Sequence, residues 1–302
     1  MNRRASFTPG IRQRGYSLIE VLISLLIGAI MIGAVTVAIS GTGLSGRRQS
    51  GHAQMGEDGQ IALTIIASQL RMAAFWTPDS PVLSLHNTQG MLFGCRNGFA
   101  NPAAAFAALA CASGAGNDAV AIRYDTNEGG VTGFDCLGAA VPAGGTTPGW
   151  VDNRFYIATS PSGNPSLFCR GNGGGLPQML VDNVETLQLR YGVAEPNDAS
   201  ISGKWEQSTY LGQTIRYVRA DTFTTPICPK TGAVSTSWCA VTVARVCITM
   251  RTNLGAGDPA GTPFLNCDGV NQTIADSRLR RTMVTTVSLR NRTEPPQPET
   301  TP

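Results

Sequence analysis

The sequence predicts an α+β protein in which one long N-terminal helix crosses a membrane and then packs on an antiparallel β-sheet domain beyond it. Three patterns predict this. An uncharged apolar stretch follows Arg14, apolar positions then recur at helical spacing from Ile61 to Ala73, and from about Gly90 the period changes to two.

The stretch from Val21 to Gly46 holds no ionisable side chain and is dense in Leu, Ile, Val and Ala. At ~1.5 Å of rise per residue, about 20 such residues cross the hydrocarbon core of a bilayer. A secretory signal peptide has a shorter apolar run, about 7–15 residues, ending in a small-residue cleavage site. Arg3, Arg4, Arg12 and Arg14 all precede the stretch, and this positive excess keeps the N-terminal end in the cytoplasm, so that the bulk of the chain is exported. Glu20 is the exception to the pattern. A carboxylate at the centre of a membrane helix costs roughly 2.5–3.5 kcal/mol, so a charge near its start either snorkels to the headgroups or has a partner.

Past the membrane segment, Ile61, Ile65 and Met72 fall on one stripe of a helix and Leu63, Ile66, Leu70 and Ala73 on the adjoining one, with Gln60, Gln69 and Arg71 outside. Trp76-Thr77-Pro78 ends the pattern, because proline disfavours helix in the residue before it. One helix over 16–75 is the expectation: transmembrane over 16–40, glycine-rich over 41–60 and amphipathic over 61–75. Gly41, Gly43, Gly46, Gly51, Gly56 and Gly59 each cost a helix about 1 kcal/mol relative to alanine, which makes the middle its weakest part, either a plain break or a joint that yields on assembly. Gly41-Thr42-Gly43-Leu44-Ser45-Gly46 matches a dinucleotide fingerprint, but a membrane helix stands where that motif needs a strand.

Strands follow. Val120, Ile122 and Tyr124 alternate with Ala121 and Arg123; Leu187, Leu189 and Tyr191 with Gln188 and Arg190; Met283, Thr285, Val287 and Leu289 with Val284, Thr286 and Ser288. These read as half-buried antiparallel strands. Phe155 to Thr159 and Val241 to Met250 are further strands, the apolar run of the second marking a central position. Gly138 to Gly149, Ser160 to Pro177 and Gly255 to Pro263 read as loops, and 293–302 as a disordered tail. Residues 76–292 form one β-rich domain of a size that buries its own core.

Composition excludes several functions. The chain of 302 residues carries a formal charge of +3, but four of its arginines precede the apolar stretch; without them 19 basic residues face 20 acidic ones, so no general basic field invites nucleic acid. Arg278, Arg280, Arg281, Arg290 and Arg292 cluster near the C-terminus and could contact DNA, although beside Asp268 and Asp276 such a run is more often a solvated or subunit-facing surface. The two histidines, His52 and His86, supply no catalytic constellation, and no nucleophile elbow, phosphate loop or calcium loop is present. No cofactor is expected. All eight cysteines, Cys95, Cys111, Cys136, Cys169, Cys228, Cys239, Cys247 and Cys267, lie beyond the membrane segment, where an even number indicates disulfides. Of the 105 pairings that eight cysteines allow, Cys95–Cys111, Cys228–Cys239 and Cys247–Cys267 close the shortest loops. There is no Cys-x-x-Cys, and metal binding is not expected.

Gly15-Tyr16-Ser17-Leu18-Ile19-Glu20-Val21 resembles the class III signal of type IV pilins and type II secretion pseudopilins. The resemblance implies a leader over 1–15, cleavage between Gly15 and Tyr16 by prepilin peptidase, N-methylation of Tyr16, and a Glu20 that pairs with the N-terminal amine of a neighbouring subunit. Tyr and Ser stand where Phe and Thr are commoner in that family. Gln69-Leu70-Arg71-Met72-Ala73-Ala74-Phe75, the run from Leu180 to Gly192, Arg278-Leu279-Arg280-Arg281 and the run from Val287 to Arg292 resemble the PilW-type minor pilins. That narrower resemblance implies a pilin-like fold and a non-enzymatic subunit, single-pass in the inner membrane with a periplasmic domain and later in the pilus. Its implied partners are other minor pilins, the major pilin and the inner-membrane assembly platform, with which it primes the filament at or near its tip. A minor pseudopilin of type II secretion shares fold and processing and is the first alternative; a membrane-tethered periplasmic enzyme is the second. Mass spectrometry of the chain from membranes is expected to find a methylated Tyr16 as first residue, and any other N-terminus contradicts the reading.

Overall fold

The computed structural model describes residues 15–75, 91–125, 133–141, 149–193, 214, 216–223, 238–253 and 260–292, apart from the side chains of 40–42, 44, 239 and 292. Residues 1–14 of the expected leader, the segment 76–90 with His86, and the expected tail 293–302 therefore lie outside the described residues. The chain forms two compact units, Met1–Gln49 and Ser50–Pro302.

Helix α1 runs Leu18–Met72. It begins where the Ser17 carbonyl accepts the amides of Glu20 and Val21, at 3.0 and 3.2 Å. Glu20 in the first turn and Arg71 in the last both have the sign that the helix dipole favours. The end is closed from two directions. Asn291 Nδ2 donates to the carbonyls of Arg71 (2.9 Å) and Ala73 (3.4 Å), and Ala74, turned to a left-handed φ of 63°, gives its amide to Arg123.

Beyond the helix, the strands in chain order are β1 (Leu92–Cys95), β2 (Ala119–Asp125), β3 (Gly133–Phe134), β4 (Ala140–Val141), β5 (Trp150–Thr159), β6 (Pro165–Arg170), β7 (Gln178–Val181), β8 (Val184–Val193), β9 (Arg216–Val218), β10 (Val241–Arg251), β11 (Pro263–Leu265), β12 (Asn271–Thr273) and β13 (Arg280–Ser288). They make two principal antiparallel sheets, ordered β1-β2-β5-β6-β7 and β13-β10-β8-β9, and two short ribbons, β3-β4 and β11-β12. The Ser160 to Pro177 segment, expected to be a loop, contains β6, whose Leu167 and Cys169 are buried; β4 likewise lies within Gly138 to Gly149. Both strands are short and bounded by Gly and Pro, so composition concealed them. β10 is central, as its apolar run requires, in register with β13 through Val246↔Thr285 and with β8 through Val246↔Leu189.

Both sheets and the C-terminal part of α1 share one core. Ala62, Leu63, Ile66, Ala67, Leu70 and Ala73 of the helix pack with Ile122, Val151 and Phe155 of one sheet and Leu187, Val246 and Ile248 of the other. This corrects the sequence-based stripe. Ile61 is 46 % exposed, whereas Gln69 turns inward and its Oε1 accepts Asn153 Nδ2 at 2.7 Å and Tyr124 Oη at 3.3 Å. Asn153 is fully buried and also accepts the Cys136 amide, so a hydrogen-bonded chain fixes the helix on the first sheet. The stripe sits where small residues allow close approach: a Cβ on Gly51, Gly56 or Gly59 would meet Thr252, Arg281 or Met283, whereas one on Gly43 or Gly46 would meet nothing.

β2 is more buried than a half-buried strand. Its alternation separates two cores, because Val120, Ile122 and Tyr124 face the main one while Ala121 meets Phe106 and Leu109 on the other side. The residues just before β2 fasten the two sheets together. Asn117 Nδ2 donates to the Glu185 carbonyl and Asn117 Oδ1 accepts the Leu187 amide; the Asp118 amide donates to the Leu187 carbonyl and Asp118 Oδ2 accepts the Leu189 amide at 2.7 Å. The β8 edge that β9 does not reach is thus satisfied by two residues of the other sheet's connection. Burial pushes the Asp118 carboxyl up to about 7, although the Leu189 amide and Arg219 pull the other way.

Two predictions follow from this packing. A Cβ on Gly94 would lie against Tyr191 Oη and the Trp238 ring, both buried, so Gly94→Ala is expected to cost about 1–3 kcal/mol in thermal unfolding, with Gly175→Ala, whose Cβ would meet Leu137 at an ordinary van der Waals distance of 3.9 Å, near neutral. The folded chain retains the Asp118 proton to about pH 7 while the unfolded chain releases it near 3.8, so this group's contribution falls as pH rises through that interval. Asp118→Asn, which keeps an acceptor for Leu189, is expected to flatten the decline in denaturant unfolding between pH 4 and 7.

Candidate assembly site

At the N-terminus the helix presents its apolar side chains outward. Tyr16 is 82 % and Leu18 78 % exposed, and from Ile19 to Ile39 the large apolar residues remain exposed. Leu18–Ile39 is long and apolar enough to cross a membrane. Its polar side chains are folded back on the backbone: Ser24 Oγ donates to the Glu20 carbonyl at 2.7 Å, and Thr36 Oγ1 to the carbonyls of Ile32 and Gly33 at 2.9 and 2.8 Å. Such bonds make hydroxyls tolerable in lipid. Gly15 and Tyr16 precede the first helical residue and Glu20 lies exposed in the first turn, so the structure places these three predicted residues within six positions of one another on an accessible segment.

In the second unit the cysteines staple covering segments to the sheets. Cys95 is bonded to Cys111, Cys136 to Cys169 and Cys247 to Cys267; Cys228 and the side chain of Cys239 lie outside the described residues. The first bond holds a flap around Phe106 over β2, where Arg123 stacks on the Phe106 ring at 4.2 Å. Under it Arg154 forks onto Asp152 at 3.1 and 2.6 Å and donates to the carbonyls of Pro102 and Ala104. The third bond lays the β11-β12 ribbon beside β10, and Asp268 in its turn takes Arg190 at 2.9 Å and Arg219 at 2.6 Å. Burial works against the Asp268 charge, but Gln188, Arg219 and Arg190 together hold its carboxyl below the usual range. Sequence patterning named Asp268 only as a neighbour of the C-terminal arginines and did not single out Asp152 or Arg154, whose pair within β5 is tied to the distant carbonyls of Pro102 and Ala104.

The C-terminal arginines are not equivalent. Arg280 is only 3 % exposed and grips Glu185 and Asp276, the second at 2.7 Å. Its hydrogen bond holds the Asp276 carboxyl down to about 2 and raises its own guanidinium pKa in return. It also lies over the Phe264 ring at 5.4 Å. Arg280 is therefore a structural clamp and is withdrawn from any surface cluster, whereas Arg281 is exposed. Among the described residues no three His, Cys, Asp or Glu side chains gather as metal ligands would.

An exposed apolar helix with one carboxylate in its first turn, followed by a disulfide-stapled antiparallel domain, has the arrangement of a pilin-like fold. Residues 154–291 match the family model of the type IV pilus-assembly protein W, and residues 11–45 match the prokaryotic N-terminal methylation motif. Together the two matches support a PilW-type minor pilin. No curated protein matches it. Among solved structures, a type IV-like pilin from Thermus thermophilus is similar at 12 % identity and a TM-score of 0.39, covering 79 % of this chain and 97 % of that one. The family is a structural and assembly component rather than an enzyme family.

Arg280→Gln is expected to lower stability by about 1–3 kcal/mol, since it leaves two carboxylates facing each other, whereas Arg281→Gln is expected to leave the unfolding midpoint unchanged.

Proposed function

We propose that this pilin is cut after Gly15, methylated at Tyr16, and joins other minor pilins in an inner-membrane complex that primes the type IV pilus and stays at or near its tip. The observation that carries the proposal is Glu20, the one ionisable side chain between Ser17 and Gly46 on a helix whose apolar surface is exposed. In a filament such a helix is covered by its neighbours, and a buried carboxylate is tolerated when a cation from an adjacent subunit meets it. The methylated amine of Tyr16 on the next subunit supplies that cation, and the pair offsets its desolvation only at one stagger, so it sets register. Prepilin peptidase, the major pilin and the inner-membrane assembly platform are the further partners of this reading. Gly43 and Gly46, which meet no neighbour, leave the stem a stretch that can yield as it enters the filament.

The test is deletion and complementation in the producing bacterium. Loss of surface pili and of twitching, restored by the wild-type gene, is expected. Normal piliation with failed exoprotein secretion would move the protein to a type II secretion pseudopilus.

A further inference from the structure

On the outward face of the four-stranded sheet one guanidinium has no answer. Arg245, in the central strand β10, is exposed and stands in register opposite Arg190 of β8 on one side and Thr286 of β13 on the other. Two like charges directly opposite each other across a strand pair disfavour the sheet. Arg190 is compensated, because Asp268 accepts it together with Arg219 on the same oxygen, Oδ1. The other oxygen, Oδ2, accepts Gln188 Nε2 at 3.3 Å, so Asp268 is occupied by three donors. Among the described residues Arg245 has neither an ion-pair nor a hydrogen-bond partner. None of its cross-strand and diagonal neighbours, Arg190, Thr286, Gln188, Gly192, Val284 and Ser288, is acidic.

The surroundings are suited to being covered. Val284 is 45 % exposed, Thr286 and Ser288 are small and exposed, and β13 is the last strand of its sheet. An arginine one strand in from a sheet margin, with short side chains on the edge strand beside it, can be desolvated cheaply on that side while its planar fork takes a carboxylate in two parallel hydrogen bonds. The occupied half of the same row shows the chemistry, since the anion to which Arg190 and Arg219 donate is a carboxylate held on a loop.

We propose that the face formed by Arg245, Val284, Thr286 and Ser288 docks a different pilin subunit, which presents an Asp or Glu side chain to Arg245. The inference rests on the filament reading above. A second copy of this chain paired about a twofold axis would set the patch against itself and bring no acid to it. Nucleic acid would be favoured by a broad positive field, whereas the chain beyond Gly15 has 19 basic against 20 acidic residues and this row already contains Asp268.

The experiment places a photo-crosslinking amino acid at Thr286 of the full-length protein in membranes of the producing bacterium, with crosslinked peptides identified by mass spectrometry. The expected product is a peptide from another pilin that contains Asp or Glu. Its yield should fall at least tenfold with Arg245→Glu, survive in part with Arg245→Lys, and fall with added salt, while neither substitution at this exposed position lowers the unfolding midpoint. A yield indifferent to Arg245→Glu, a peptide without a carboxylate, a self-crosslink or a nucleic-acid adduct would each overturn it. Should other pilins co-purify with the protein while the Thr286 crosslink ignores Arg245, the docking face alone is wrong. Should no pilin co-purify with the wild type at all, the filament reading falls with it.

Discussion

The proposed assembly depends on one carboxylate, Glu20, on the otherwise uncharged N-terminal part of α1. From Val21 to Gly46 no side chain carries charge, and the hydroxyls of Ser24 and Thr36 are spent on the helix's own carbonyls. Among the described residues the Glu20 carboxylate has no side-chain partner, and its position in the first turn gives it only the favourable end of the helix dipole. In the proposed assembly that shortfall becomes specificity. Apolar contact is non-directional and would hold neighbouring helices at many staggers, while a cation meeting Glu20 selects one.

The second unit answers a different demand, which is to hold a short amphipathic segment against two sheets at once. Small residues along α1 let the sheet containing β10 and β13 approach within contact of Gly51, Gly56 and Gly59, and the Gln69–Asn153–Tyr124 chain fixes the same helix on the other sheet. Asn117 and Asp118 then bond the connection before β2 to the β8 edge, so the two sheets cannot slide independently. Asn291 reaches back to the carbonyls of Arg71 and Ala73, tying the C-terminal end of the domain to the end of the helix. Two of the disulfides hold the flap over β2 and the ribbon beside β10, while Cys169 of the third, bonded to Cys136, is buried in the core itself.

How much was legible in the sequence follows from the kind of interaction involved. Period and hydropathy are local, so the helix could be read from its apolar spacing, β2, β8 and β13 from alternation, β10 from its apolar run, and the membrane segment from its lack of charge. Strands such as β6 and β4 were hidden because Gly and Pro beside short strands look like loop. The division into two sheets was hidden because alternation does not say which strands pair. The helix face was misplaced at Ile61 and Gln69, since weighting by apolarity favours large residues, whereas the actual seam runs along Ala, Gly and Leu where backbones come close. The arginine cluster divides for the same reason: Arg280 and Arg281 are adjacent in sequence, yet the strand pleat buries one beside Glu185 and leaves the other exposed.

Moving the charge along the helix tests the central claim most directly. The variant combining Glu20→Ala with Ser24→Glu keeps one carboxylate on the segment but shifts it by about one helical turn, ~6 Å. Measured as the amount of other pilins co-purified from membranes, it is expected to be as defective as Glu20→Ala alone, because the displaced anion no longer meets the neighbouring amine at the native stagger. Recovery to the wild-type amount would contradict the account, since it would show that a carboxylate is needed but its register is not.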